Sequence, residues 1–144
     1  MGLDRSKVRK INDGEESYRG DVQRLLADAR AVFIEWADNA LKEASGQVDG
    51  LAGPEFAAAR DAIFGVFHDV KGAGGGVGLD LMSDIGASGC DFLRELDAPS
   101  RKAAKVVKAH IVTAQGVLAA GIDGDGGAAG QALAEKLRGY TLDS

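Results

Sequence analysis

Apolar residues recur every three or four positions through four long stretches of this chain, and its two prolines, Pro54 and Pro99, fall between those stretches. Runs of β-branched residues are nearly absent, while alanine is abundant. Such spacing lines one face of a helix and leaves the other polar, so it points to amphipathic helices rather than strands. The fold class expected is all-α. A first long helix is expected over residues 20–44, striped by Val22, Leu25, Leu26, Ala29, Val32, Phe33, Trp36 and Ala40. The segment "SGQVDGLAG" breaks it. Pro54 suits the first turn of a second helix, where a missing N–H costs nothing, and Glu55 favours the helix dipole. That helix carries Phe56, Ile63, Val66, Phe67 and Val70 on one face and runs into a cluster of glycines. A third is expected over residues 80–96, with Leu81, Ile85, Phe92 and Leu93 apolar. Pro99 then opens a fourth through Val106, Val107, Ile111, Ala114 and Leu118. "GIDGDGG" reads as a turn and "AGQALAEKLRGY" as a short last helix.

Four long helices with short connections imply an antiparallel up-down four-helix bundle, with the additional short C-terminal helix on its side or end. Residues 1–19 are polar and are expected as an N-terminal arm or short helix ahead of a bundle domain over 20–144. A chain of 144 residues, 45% hydrophobic, suffices for one such core. The net charge of -5 argues against a nucleic-acid partner. No apolar run approaches the roughly 20 residues that cross a bilayer. The opening "MGLDRSKVRK" lacks the hydrophobic segment of a secretory signal. Cys90 is the single cysteine, which excludes an internal disulfide and a cysteine-based metal cluster. A soluble, cytoplasmic monomer with no membrane partner is the expectation.

The second helix raises the functional question. At 100° per residue His68 lies nearly opposite the apolar face and should point to solvent. Its neighbours around the helix are Asp61, Phe64, Gly65, Lys71, Gly72 and Gly75, three of them glycine. Glycine costs about 1 kcal/mol against alanine inside a helix. Gly65 and Gly72 lie a turn either side of His68, where removing Cβ lets another macromolecule approach the ring. Lys71 shares that side and can attract an anion, with phosphate the natural candidate. Gly74 falls on the core side, and Gly76 and Gly78 are placed to end the helix. The cluster is not a nucleotide loop. No G-x-G-x-x-G can be read from it, no P-loop pattern occurs and no strand precedes it. "DGDGG" at Asp123–Gly127 starts like a calcium loop, but its closing acidic position is Ala134.

The stretch "FHDVKGAGGGVG" contains H-x-x-K-G with a further glycine ten residues after the histidine: His68, Lys71, Gly72 and Gly78. This pattern, on the second long helix of an all-helical chain, resembles the histidine phosphotransfer domain, in particular its small stand-alone bacterial members. Phe67 departs from the alanine that often precedes the histidine there. The resemblance implies that His68 accepts a phosphoryl group from an aspartyl phosphate on a receiver domain and passes it to another receiver. Lys71 would supply charge and Gly72 room for the phosphoryl group. Phe64, Gly65, Gly75 and Asp61 would form the docking rim, with residues of the first helix beside them, and Gly78 would be a structural part of the motif. The chain itself would bind no cofactor or metal, the Mg²⁺ residing in the partner receiver. Such transfer depends on in-line positioning and charge neutralisation more than on covalent machinery. It also needs no kinase activity, for which the chain leaves no room. The alternative is a helical bundle that docks a receiver or other regulator without being phosphorylated.

His110 has no K-G after it and is expected to be structural or at the surface. Neither histidine has the Glu-x-x-His spacing of di-iron bundles. Arg101, Lys102, Lys105 and Lys108 form a basic side of the fourth helix, read as a solvated face. Cys90 is expected as a small core residue.

Overall fold

The computed structural model describes the backbone of residues 5–142 and the side chains of residues 16–142. Five α-helices make up the described chain: α1 Arg5–Gln47, α2 Phe56–Gly76, α3 Asp80–Arg94, α4 Arg101–Ala120 and α5 Gly127–Arg138. A 3-10 turn over Val48–Ala52 follows α1, and no strand occurs among the described residues. None of these helices is long and apolar enough to cross a membrane.

The first helix differs from the expectation. It does not start near Gly20 behind an arm or separate short helix; it runs unbroken from Arg5 to Gln47. One glycine in the interior of a helix costs about 1 kcal/mol, too little to end it. Its buried face is also displaced. Phe33, Ala37, Leu41 and Ala44 enter the core, whereas Val22, Leu25, Leu26, Val32 and Trp36 are exposed. The expected stripe follows a neighbouring face of the same helix and coincides with the core only at Phe33.

The other helices follow their stripes. Ile63, Phe67 and Val70 of α2 are buried, as are Leu81, Ile85, Phe92 and Leu93 of α3 and Val106, Val107, Ile111 and Ala114 of α4. One hydrophobic cluster joins them to the core residues of α1 and to Ala134 and Leu137 of α5. Helix α2 packs on α1 and α3, α4 packs on α3 and α1, and α5 lies against α3. Ser100, rather than Pro99, caps α4, its side chain accepting a hydrogen bond from the Ala103 N–H at 3.1 Å.

Helices α2 and α3 approach most closely where α3 has no side chain. A Cβ on Gly86 would lie 2.6 Å from the Phe67 carbonyl oxygen and 2.8 Å from the Lys71 nitrogen. A Cβ on Gly89 would lie 2.5 Å from the Phe67 ring. The backbone turn that carries His68 is thus pressed directly against α3. The Ser83 hydroxyl adds a 2.7 Å hydrogen bond to the Lys71 carbonyl.

The glycine cluster ends α2 in an orderly way. Gly78 has φ of 78°, the left-handed conformation that a side chain disfavours. The Leu79 N–H donates to the Gly74 carbonyl at 2.9 Å and the Gly78 N–H to that of Gly75 at 3.2 Å, a Schellman closure. Gly74 is buried because Phe33 of α1 fills the space beside it, and its Cβ would lie 3.3 Å from that ring. Arg30 of α1 ties this turn to the one after α4, donating to the Val77 carbonyl at 3.1 Å and pairing with Asp123 at 2.9 Å.

Candidate functional site

His68 stands on the outer side of α2, with 66% of its side chain accessible. The reason is local: Phe67 beside it is fully buried against Gly89, which turns the next residue outward. The imidazole stacks on Phe64 one turn earlier, with ring centroids 6.2 Å apart and planes 26° apart. On its other side an open groove of about 330 Å³ is lined by Trp36, His68, Asp69, Gly72 and Ala73. Nδ1 of His68 faces the Asp69 carboxylate at 3.7 Å, beyond hydrogen-bond distance. A Cβ added to Gly65 or Gly72 would meet nothing within 4 Å, so the surface on both sides of the histidine is bare.

Lys71 is exposed and forms no ion pair with the described residues. A second cation comes from α3, where the Arg94 guanidinium lies 5.4 Å from the centroid of Phe64 while pairing with Asp91 at 2.8 Å. Phe64 therefore touches the imidazole on one side and a guanidinium on another. Asp61 lies beyond Phe64, beside Arg60 at 3.5 Å, and lines a separate shallow hollow with Phe64 and Arg94. Gly75 is exposed, but its Cβ would come within 3.3 Å of Ser83 Oγ, so it also eases the packing of α3. Among the residues singled out in the sequence, Phe64 stacks on the His68 ring and Gly72 lines its groove, while Gly65 and Lys71 lie within a turn of it along α2. The fold sets Asp61 and Gly75 at the margins and Gly78 in the terminal turn.

Three groups at the site were not anticipated: Trp36, Asp69 and Arg94. Asp69 adjoins His68 in sequence and could have been noted. Trp36 stands in the apolar stripe of the first helix, where spacing alone does not single it out, and Arg94 is brought in by the pairing of α2 with α3, which no periodicity within α2 reports.

The second histidine has a different setting. His110 is buried, with its ring edge toward Phe67 at a centroid distance of 6.0 Å. The Val106 carbonyl, 2.9 Å from Nδ1, can only accept, so Nδ1 carries the proton. Nε2 then accepts from the Ser88 hydroxyl at 2.8 Å. Burial pushes its pKa below the ordinary 6.5, against a smaller upward effect of the Val106 carbonyl. It is a satisfied core histidine. Cys90 is buried too, and burial pushes its thiol pKa upward. No group of three or more metal-ligating side chains occurs among the described residues. No family model, curated protein or solved structure matches this chain.

Proposed function

We propose that this protein is a phosphorelay intermediate, accepting a phosphoryl group on His68 from the aspartyl phosphate of one receiver domain and delivering it to the aspartate of another. The observation that carries this reading is an outward imidazole on a closely packed helix, flanked by two glycines with open space, with an exposed lysine three residues further along the same helix. In this reading Nε2 is the attacking nitrogen, with the Asp69 carboxylate on the Nδ1 side of the ring. Nε2 forms a bond to phosphorus as the P–O bond to the receiver aspartate breaks, and that aspartate departs as a carboxylate. Lys71 offsets charge on the phosphoryl oxygens, and the receiver's Mg²⁺ supplies the remainder. The reverse sequence loads the second receiver. In this reading the four longer helices form an antiparallel up-down bundle with α5 packed on α3, supported by their mutual contacts and short connections. Receiver domains are the partners, and the cytoplasm is where they would meet.

Incubation with a phosphorylated receiver and Mg²⁺ should give the protein an acid-labile phosphoryl label, absent from His68→Gln at unchanged helicity. Equal labelling of the variant would refute the assignment. A wild-type protein that binds the receiver but never takes the label would instead be a docking module.

A further inference from the structure

We propose that the Tyr18–Trp36 stretch of α1 is a parallel coiled-coil arm that pairs with the same stretch of a second copy of this chain. From Glu16 to Ala29 every residue except Gly20 is exposed, and burial begins only at Arg30 and Phe33. This part of α1 thus runs past the core, yet it is not polar. Tyr18, Val22, Leu25, Ala29, Val32 and Trp36 alternate at steps of four and three residues. That is a repeat of 3.5, the period of a seam meeting another helix rather than of a face on a globular core. Tyr18, Leu25 and Val32 are 71%, 70% and 68% exposed, so the seam is uncovered. At 100° per residue it lies about a quarter turn from the face of Phe33, Ala37 and Leu41. The core and a second helix can therefore be served at once. An uncovered helix of this length is marginal in water, and pairing removes that defect.

Charge sets the direction of the pairing. In heptad terms Val22, Ala29 and Trp36 are a positions, and Tyr18, Leu25 and Val32 are d positions. Asp21, Asp28 and Glu35 then fall at g, with Arg19, Leu26 and Phe33 at e. An antiparallel pair of copies would set these carboxylates against each other, Asp28 to Asp28 and Asp21 to Glu35. A parallel pair sets Asp21 beside Leu26 and avoids every like-charge contact, while Leu26 widens the apolar strip. The seam spans about 27 Å from Tyr18 to Trp36. It is short enough that pairing will depend on concentration. Trp36 closes the seam beside the His68 groove, so a parallel pair presents two such grooves toward the same end.

Sedimentation velocity of the full chain should reveal a dimer at about 100 µM that dissociates on dilution. Leu25→Glu buries a charge in the pair and should weaken self-association about tenfold or more, with helicity retained. Val22→Glu is a second variant in which the same loss is expected. Spin labels at Ser17→Cys should be close in the dimer, whereas antiparallel arms would separate them by about 30 Å along the axis. A wild-type chain that stays monomeric at this concentration, a dimer indifferent to both glutamates, or the long label distance would each overturn the proposal.

Discussion

Gly72→Ala should make the protein more stable and a poorer phosphoryl carrier. Gly72 lies inside α2, is exposed, and a Cβ there would meet nothing within 4 Å. No steric penalty therefore opposes the helix-propensity gain of about 1 kcal/mol. For a chain of this size that gain raises Tm by about 3 °C. Urea unfolding should show the midpoint rising at an unchanged slope. The added methyl would project one turn from His68, into the groove where a receiver's active site must come. Misplacing a reacting pair by an ångström can cost about a hundredfold in rate. Transfer from a phosphorylated receiver, followed by loss of label from the donor, should slow at least about tenfold. A less stable variant would mean that Gly72 serves the fold. A more stable variant that transfers at the wild-type rate would mean that the bare surface has nothing to do with access. Either result refutes the argument that stability is given up here to let a partner in.

Three further outcomes follow from the packing behind the site. Gly86→Ala drives a methyl against the α2 backbone at Phe67 and Lys71 and should cost about 1–3 kcal/mol in urea unfolding; a loss under about 0.5 kcal/mol would show that the helices part easily. Ser88→Ala removes the donor to buried His110 Nε2 and should cost about 1–3 kcal/mol, because a desolvated acceptor is left unpaired; an unchanged midpoint would mean the pair is dispensable. His110 is held below pH 6.5 by burial, so the unfolded chain takes up its proton first. Its contribution to stability is present above that pH and is lost as pH falls through the folded-state value. The urea midpoint should therefore drop between pH 7.5 and pH 5.5 more steeply in wild type than in His110→Gln, and equal slopes would contradict the assignment.

Most of the helices were legible because their stripes answer to a single partner, the shared core. Phe67 illustrates this: it is core by spacing and buried in the fold, which made the outward direction of His68 readable from α2 alone. Helix α1 was misread for an equally physical reason. It carries two apolar faces a quarter turn apart, and the longer and more regular one is the uncovered seam. Periodicity reports that a face is apolar and is silent on what covers it. Trp36 shares that stripe by spacing and lies beside His68 in the fold. Arg94 was beyond reach in a different way, since it comes to Phe64 only through the contact of α3 with α2. Gly74 falls on the core side by spacing, and its reason lies on α1, whose Phe33 ring is 3.3 Å from where a Cβ would be.

Glycines on α2 and α3 have opposite effects at this site, and the two depend on each other. Gly86 and Gly89 are buried on α3 and allow it to press on the backbone between Phe67 and Lys71. With the Ser83 hydroxyl on the Lys71 carbonyl, that turn of α2 is held from behind. Gly65 and Gly72 lie on the outer side and leave the front of the same turn open. A bare outer surface on a loosely held helix would let His68 drift, and a well-braced helix with large outer side chains would keep a partner away. The proposed transfer needs the imidazole fixed and also reachable, because it depends on positioning the reacting pair. Filling the inner glycines should therefore impair transfer through loss of position, with stability falling. Filling the outer ones should impair it with stability rising. The sign of the stability change separates the two roles in one set of four alanine variants.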